Sequence, residues 1–148
     1  MSKSNTFESD LLLLVFNNTN IALIGDATGL RGSTTVGSLF VALHTADPGE
    51  AGTQTTSEAT YTSYARVAAA RTAGVWTVTG TAPTQVAPVA AINFPACTAG
   101  TNTITHFSIG TDTSGAGKVL YKGAVTPNIS VSAGVTPQLT TASTVTED

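Results

Sequence analysis

Residues 38–68, SLFVALHTADPGEAGTQTTSEATYTSYARVA, decide how this chain is read. A strand signal over 39–44 runs directly into Thr45-Ala46-Asp47-Pro48-Gly49. Asp-Pro-Gly has the chemistry of a turn. Pro48 fixes φ at the first central position, Gly49 accepts a positive φ, and the Asp47 carboxylate can accept from the backbone just beyond. A polar loop follows, and order resumes at Tyr61-Thr62-Ser63-Tyr64-Ala65-Arg66-Val67.

Outward from this stretch, further strand signals fall at 64–70, 75–78, 89–94, 104–109, 119–125 and 128–132, with 139–145 as one more candidate. Pro83, Pro88, Pro95, Pro127 and Pro137 lie between or at the edges of these runs, where a missing donor costs no ladder bond. Residues 104–109 alternate, with Ile104, His106 and Ser108 on one face and Thr105, Phe107 and Ile109 on the other. The glycine-rich turn at 110–117 then leads into the next strand as a broad hairpin. One helix is expected over 5–17, with Asn5 as cap, Glu8 as its capping-box partner, and Phe7, Leu11, Leu14 and Val15 forming an apolar stripe. Leu12 and Leu13 widen that stripe. Such a helix either covers one end of a β core or docks on a neighbouring subunit. Residues 17–38 read as loop, interrupted by Gly25, Gly29, Gly32 and Gly37.

Composition supports a β domain. Hydrophobic residues make up 41% of the 148 and charged residues only 10%, while about a fifth are threonine. Such low charge argues against disorder, and abundant β-branched residues suit a pleated, half-buried surface. The expected fold is mainly β: a single-domain antiparallel β-sandwich, jelly-roll-like, over residues 1–148. Its N-terminal helix and extended arm would occupy 1–38 and its β core 39–148.

A net charge of −3 and six scattered basic residues leave no electrostatic footprint for nucleic acid. The apolar run at 11–16 is too short to span a bilayer and lacks signal-peptide flanks, so neither a membrane nor a secretory route is expected. Cys97 is the one cysteine, which rules out an intrachain disulfide and fits synthesis in a reducing cytoplasm.

Candidate chemistry is sparse. His44 and His106 can face each other near Asp47 or Asp112, yet the spacing has no metal-ligand pattern. Gly115-Ala-Gly117-Lys118 resembles a phosphate loop only superficially, because Val119 stands where Ser or Thr is required and a strand follows. No nucleophile elbow is present, and Asp47, Glu50 and Glu58 share one loop without a sugar platform beyond Tyr61 and Tyr64. No catalytic residue, cofactor or metal is assigned, and no enzyme activity is expected. Arg66 stands out in so charge-poor a chain. It reads as a clamp on the 46–63 loop, bonded to Asp47 or to a carbonyl, with an interfacial anchor as the alternative.

The order VALHTADPG, SYAR, Ile104-Thr-His-Phe-Ser-Ile109, Val119-Leu-Tyr-Lys-Gly-Ala124 and Val131-Ser-Ala-Gly134 resembles a family of small structural proteins of tailed bacteriophages. Their pattern runs YVALHTADPG, SYAR, ITHFGI, LLYYGAL and V-AG. Two departures from that pattern, at 59–62 and after Gly134, bear on assembly geometry more than on fold. The resemblance implies a virion part, first of all a head decoration (cement) protein. It would bind the outer capsid surface, with the major capsid protein as partner and with homo-oligomers on the lattice. The alternative is a tail, baseplate or fibre component used in host attachment. A third reading, from another class, is a small carbohydrate-binding or hydrolytic jelly roll working through Tyr61 or Tyr64. The expected protein-interface residues are Phe7, Leu11, Asp47, Pro48, Tyr61, Tyr64 and Arg66.

Overall fold

A computed structural model describes residues 3–22, 24, 32–81 and 83–147. The loop glycines Gly25 and Gly29 lie outside them. The chain is mainly β with one helix and antiparallel sheets, as the sequence indicates. Its elements in order are α1 (Asn5–Asn17), β1 (Ser38–His44), β2 (Val67–Ala70), β3 (Trp76–Thr79), β4 (Thr84–Pro88), β5 (Ile92–Asn93), β6 (Asn102–Gly110), β7 (Val119–Val131), β8 (Gln138–Leu139) and β9 (Val145–Glu147). Contacts divide them into two compact units. One comprises Met1–Ser38, Ala70–Ala91 and Thr140–Asp148, and the other Leu39–Ala69 and Ile92–Leu139. The strands β3, β4 and β9 therefore belong with the helix.

In the first unit α1 packs against a three-stranded sheet of order β3-β4-β9. Its cap is Ser4 rather than Asn5: the Ser4 hydroxyl accepts from the Phe7 N–H at 3.4 Å and the Ser4 carbonyl from the Glu8 N–H at 3.0 Å. Glu8 thus sits one position too late for a capping box, and it is buried with Leu12 and Phe16 along one i, i+4 stripe. The Phe16 ring meets Trp76 edge-on, with centroids 5.0 Å apart. At the C-terminus Asn18 turns left-handed (φ 57°) and Arg71 donates to the carbonyls of Val15 and Leu14, both at 2.6 Å. A cation on those orphan carbonyls also opposes the negative end of the helix dipole.

The second unit holds a four-stranded sheet of order β2-β1-β6-β7 and a two-stranded sheet of β5 and β8. The β1–β6 register sets Phe40 opposite Gly110, Ala42 opposite Ser108, and His44 opposite His106. Continuing across β6, Ser108 is opposite Lys122 and His106 opposite Ala124. By the twofold alternation of strands, Ala42, His44, His106, Ser108 and Lys122 share one face. Val41, Leu43, Phe107 and Ile109 form the other, and all four are buried.

Several strand readings change: the run at 89–94 pairs only over Ile92–Asn93, and the candidate at 139–145 resolves into the short strands Gln138–Leu139 and Val145–Glu147. The runs at 119–125 and 128–132 are one strand, β7, and the register shift between Ile104 and His106 places residues 125–128 in a bulge. Pro127 lies in this bulge, where it interrupts no ladder bond. The segment 84–88 is a strand in the middle of its sheet, with buried Thr84, Val86 and Pro88 alternating with more exposed Gln85 and Ala87. Its flanking prolines hid it from a pattern reading. The expected strand over 64–70 begins only at Val67, since Tyr64 and Arg66 are drawn into side-chain contacts described next.

Candidate functional site

The 45–63 loop folds back onto the sheet face that carries His44 and Ser108. Its entry turn has the expected form: Gly49 has φ 74° and its N–H donates to Asp47 Oδ1 at 2.8 Å. Beyond it the loop is held by polar side chains that meet backbone groups or a partner of opposite charge.

Gln54 has no solvent exposure. Its amide nitrogen donates to the Phe40 carbonyl (3.0 Å) and its oxygen accepts from the Asp112 N–H (3.0 Å). The Gln54 N–H itself donates to the Gly117 carbonyl at 2.9 Å. The glycines on either side explain why the amide fits. A Cβ at Gly110 or at Gly117 would collide with the Gln54 side chain.

Arg66 extends the same contact. Nε donates to Glu58 Oε1 at 2.7 Å and Nη2 to Oε2 at 2.8 Å, a bidentate fork. The remaining donors reach the carbonyls of Asp112 (2.8 Å) and Gly115 (2.7 Å) in the β6–β7 hairpin. Arg66 is 8% exposed. The bonds to Glu58 hold its guanidinium pKa above the ordinary value, against the opposing effect of burial. The clamp geometry is therefore present, with Glu58 in the role the sequence offered to Asp47.

Tyr64 completes the clasp. Its hydroxyl donates to Glu58 Oε1 (3.0 Å) and accepts the Leu43 N–H (3.0 Å). Burial drives its pKa well above the usual phenol range. Tyr61 is 3% exposed, donates to the Pro95 carbonyl at 2.9 Å and stacks edge-on with Tyr64; burial pushes its pKa up to about 12. The Tyr61 ring is buried and the half-buried Tyr64 has its hydroxyl engaged by Glu58 and Leu43, so the pair does not form an open aromatic platform for a sugar.

His44 is fully buried between loop and sheet. Nδ1 lies 2.8 Å from the Thr56 carbonyl and Nε2 lies 2.8 Å from Ser108 Oγ. A carbonyl can only accept, so Nδ1 carries the proton and Nε2 accepts from the Ser108 hydroxyl. Both nitrogens are thus used within the fold, and the described residues contain no group of three metal-ligating side chains.

Outside the clasp, a cleft of about 230 Å³ is lined by Gly49, Glu50, Gly52 and residues 119–122. Lys122 bridges Asp47 (3.1 Å) and Glu50 (3.2 Å) at its rim. These bonds raise the Lys122 pKa. The Asp47 pKa is lowered by the Gly49 N–H first and Lys122 second.

Of the seven expected interface residues, the structure gathers Tyr61, Tyr64 and Arg66 into internal contacts. Pro48 is buried, Asp47 lies at the cleft rim, and Phe7 (36% exposed) and half-buried Leu11 are on α1 in the other unit. Sequence reasoning missed Gln54, Glu58 and Arg71. The signal for Glu58 was its charge in a chain with so few; Gln54 in a Thr-rich loop gave none.

The polar groups of the clasp bond one another and the backbone, and the Ser108–His44 pair has no exposure to solvent. No helix among the described residues is long and apolar enough to cross a membrane. No curated protein matches the chain. The sequence model of the podophage GP4 fiber I protein gp80 family, however, matches residues 2–147, and the chain belongs to that family: it is a bacteriophage structural protein.

Proposed function

We propose that this protein is a fibre component of the virion, serving attachment or the structural support of attachment rather than catalysis. The observation that carries the reading is the match of a fibre-protein family along residues 2–147. It favours the tail, baseplate or fibre alternative over head decoration, for which only the general likeness to phage structural proteins speaks. The structure is compatible in chemical terms. Its buried polar groups hold loops in place, so the protein presents a preorganised surface that loses little entropy on assembly. Homo-oligomerisation on the virion is part of the proposal, since fibre assembly needs repeated contacts between copies. The major capsid protein is a partner only under the decoration reading.

Deletion of the gene separates the two. The fibre reading predicts particles with intact, stable heads that adsorb poorly to host cells. Fragile heads with normal adsorption would contradict it and return the capsid lattice as the binding surface.

A further inference from the structure

We propose that His44 is an acid-sensitive latch: protonation of the imidazole held between the Ser108 hydroxyl and the Thr56 carbonyl releases the 53–58 segment of the loop from the sheet.

The geometry leaves the second proton no comfortable place. With Nδ1–H committed to the Thr56 carbonyl, the added proton goes to Nε2, and Ser108 must rotate from donor to acceptor. The resulting cation has no exposure to water. A buried charge needs a partner, and the surrounding charges pull in both directions. Glu58 favours the imidazolium, but its carboxylate is already forked by Arg66 and also accepts from Tyr64. The Arg66 cation opposes it, as does His106, directly opposite on β6. From β7, Lys122 stands opposite Ser108 on the same face, with its own charge held by Asp47 and Glu50. Burial is the largest influence and depresses the His44 pKa, while the Thr56 carbonyl raises it.

Relief must come from the side that can move. One side of the imidazole is β6, fixed in a ladder from both neighbours. The other side is the 53–58 loop, which is held by single bonds rather than by a ladder: Thr45 N–H to the Ser57 carbonyl, Ala59 N–H to the Leu43 carbonyl, Gln54 to Phe40, Asp112 and Gly117, and Glu58 to Arg66 and Tyr64. Opening that segment brings water to Nδ1 and leaves the sheet intact. The shift is reversible and needs no bond chemistry.

Amide hydrogen exchange on the full chain, corrected for intrinsic rates, tests this. Between about pH 7.5 and about pH 5 the protection of residues 53–58 should fall roughly tenfold or more, while residues 107–109 of β6 keep theirs. His44→Gln, which keeps an amide donor and acceptor without a titrating group, should abolish the dependence. Unchanged loop protection, or equal loss in the strands, would overturn the latch. A second measurement stands without any variant: the His44 ring resonances should titrate with the same midpoint as loop opening. Titration of the ring with the loop still protected would also overturn it.

Discussion

Helix α1 and the 45–66 loop make opposite use of their residues. The helix has a complete backbone ladder and an unbroken apolar run at 11–16, yet it buries only Glu8, Leu12 and Phe16 and leaves Phe7 36% exposed. The loop has little regular structure, yet Gln54 and His44 inside or beside it are fully buried and Arg66 nearly so. What differs is where the backbone groups find partners. In α1 all but the terminal groups are satisfied within the element, so packing depends on the stripe of side chains that it buries. In the loop they are met largely by single backbone groups of other segments, such as the Gly117 and Leu43 carbonyls, while the side chains of Gln54 and Arg66 tie the loop to β1 and to the β6–β7 hairpin. In a chain with 10% charged residues, the few charges are spent on such joints.

The sharpest way to break the comparison is a pair of substitutions of equal expected size. Arg66→Ala should cost about 3–5 kcal/mol in urea unfolding, because it strands the partly buried Glu58 and the carbonyls of Asp112 and Gly115. Phe16→Ala should cost about 3–5 kcal/mol by cavity formation against Trp76. A cost below about 1 kcal/mol for Arg66→Ala would make the clasp no better than a surface ion pair.

Next in size, Gly117→Ala should destabilise by about 1–3 kcal/mol through overpacking against Gln54. Combining it with Gln54→Ala should give less than the sum of the two single losses, measured as a double-mutant cycle. Additive losses would mean that the glycine does not make room for the amide.

Acidity probes the loop alone. Because the folded His44 pKa lies below 6.5, the unfolded chain takes up the proton first as pH falls. The stability His44 confers is complete above about pH 6.5 and declines below it, at no more than about 1.4 kcal/mol per pH unit, until the folded value is reached. Denaturant midpoints at successive pH values, with and without His44→Gln, measure this. An identical slope in the variant would assign the effect to other groups. The smallest effect belongs to the helix: Ser4→Ala should cost about 0.5 kcal/mol, given the long 3.4 Å cap bond.

The sequence made the regular parts legible. The strand at 39–44, the Asp47-Pro48-Gly49 turn, the helix bounds and the hairpin at 104–125 all follow from local pattern, because alternation and turn chemistry act over a few residues. The facing of His44 and His106 also follows once both strands are placed. The clasp was half legible. Arg66 announced itself as a lone charge in an apolar setting, but its partner Glu58 was indistinguishable from Asp47 until the loop path was known. Gln54 was invisible, since its role depends on space left by Gly110 and Gly117, more than fifty residues away. The burial of Tyr61 escaped for the same reason: loop position implies exposure only when nothing folds over the ring. The strand at 84–88 was missed because proline at both flanks reads as an edge, although Pro88 can close a strand whose other members pair.

Immunogold electron microscopy of purified virions, with antibody against this protein, tests the fibre assignment most directly. The account predicts label confined to the tail and its fibres, at few sites per particle. Label spread evenly over the head would contradict it.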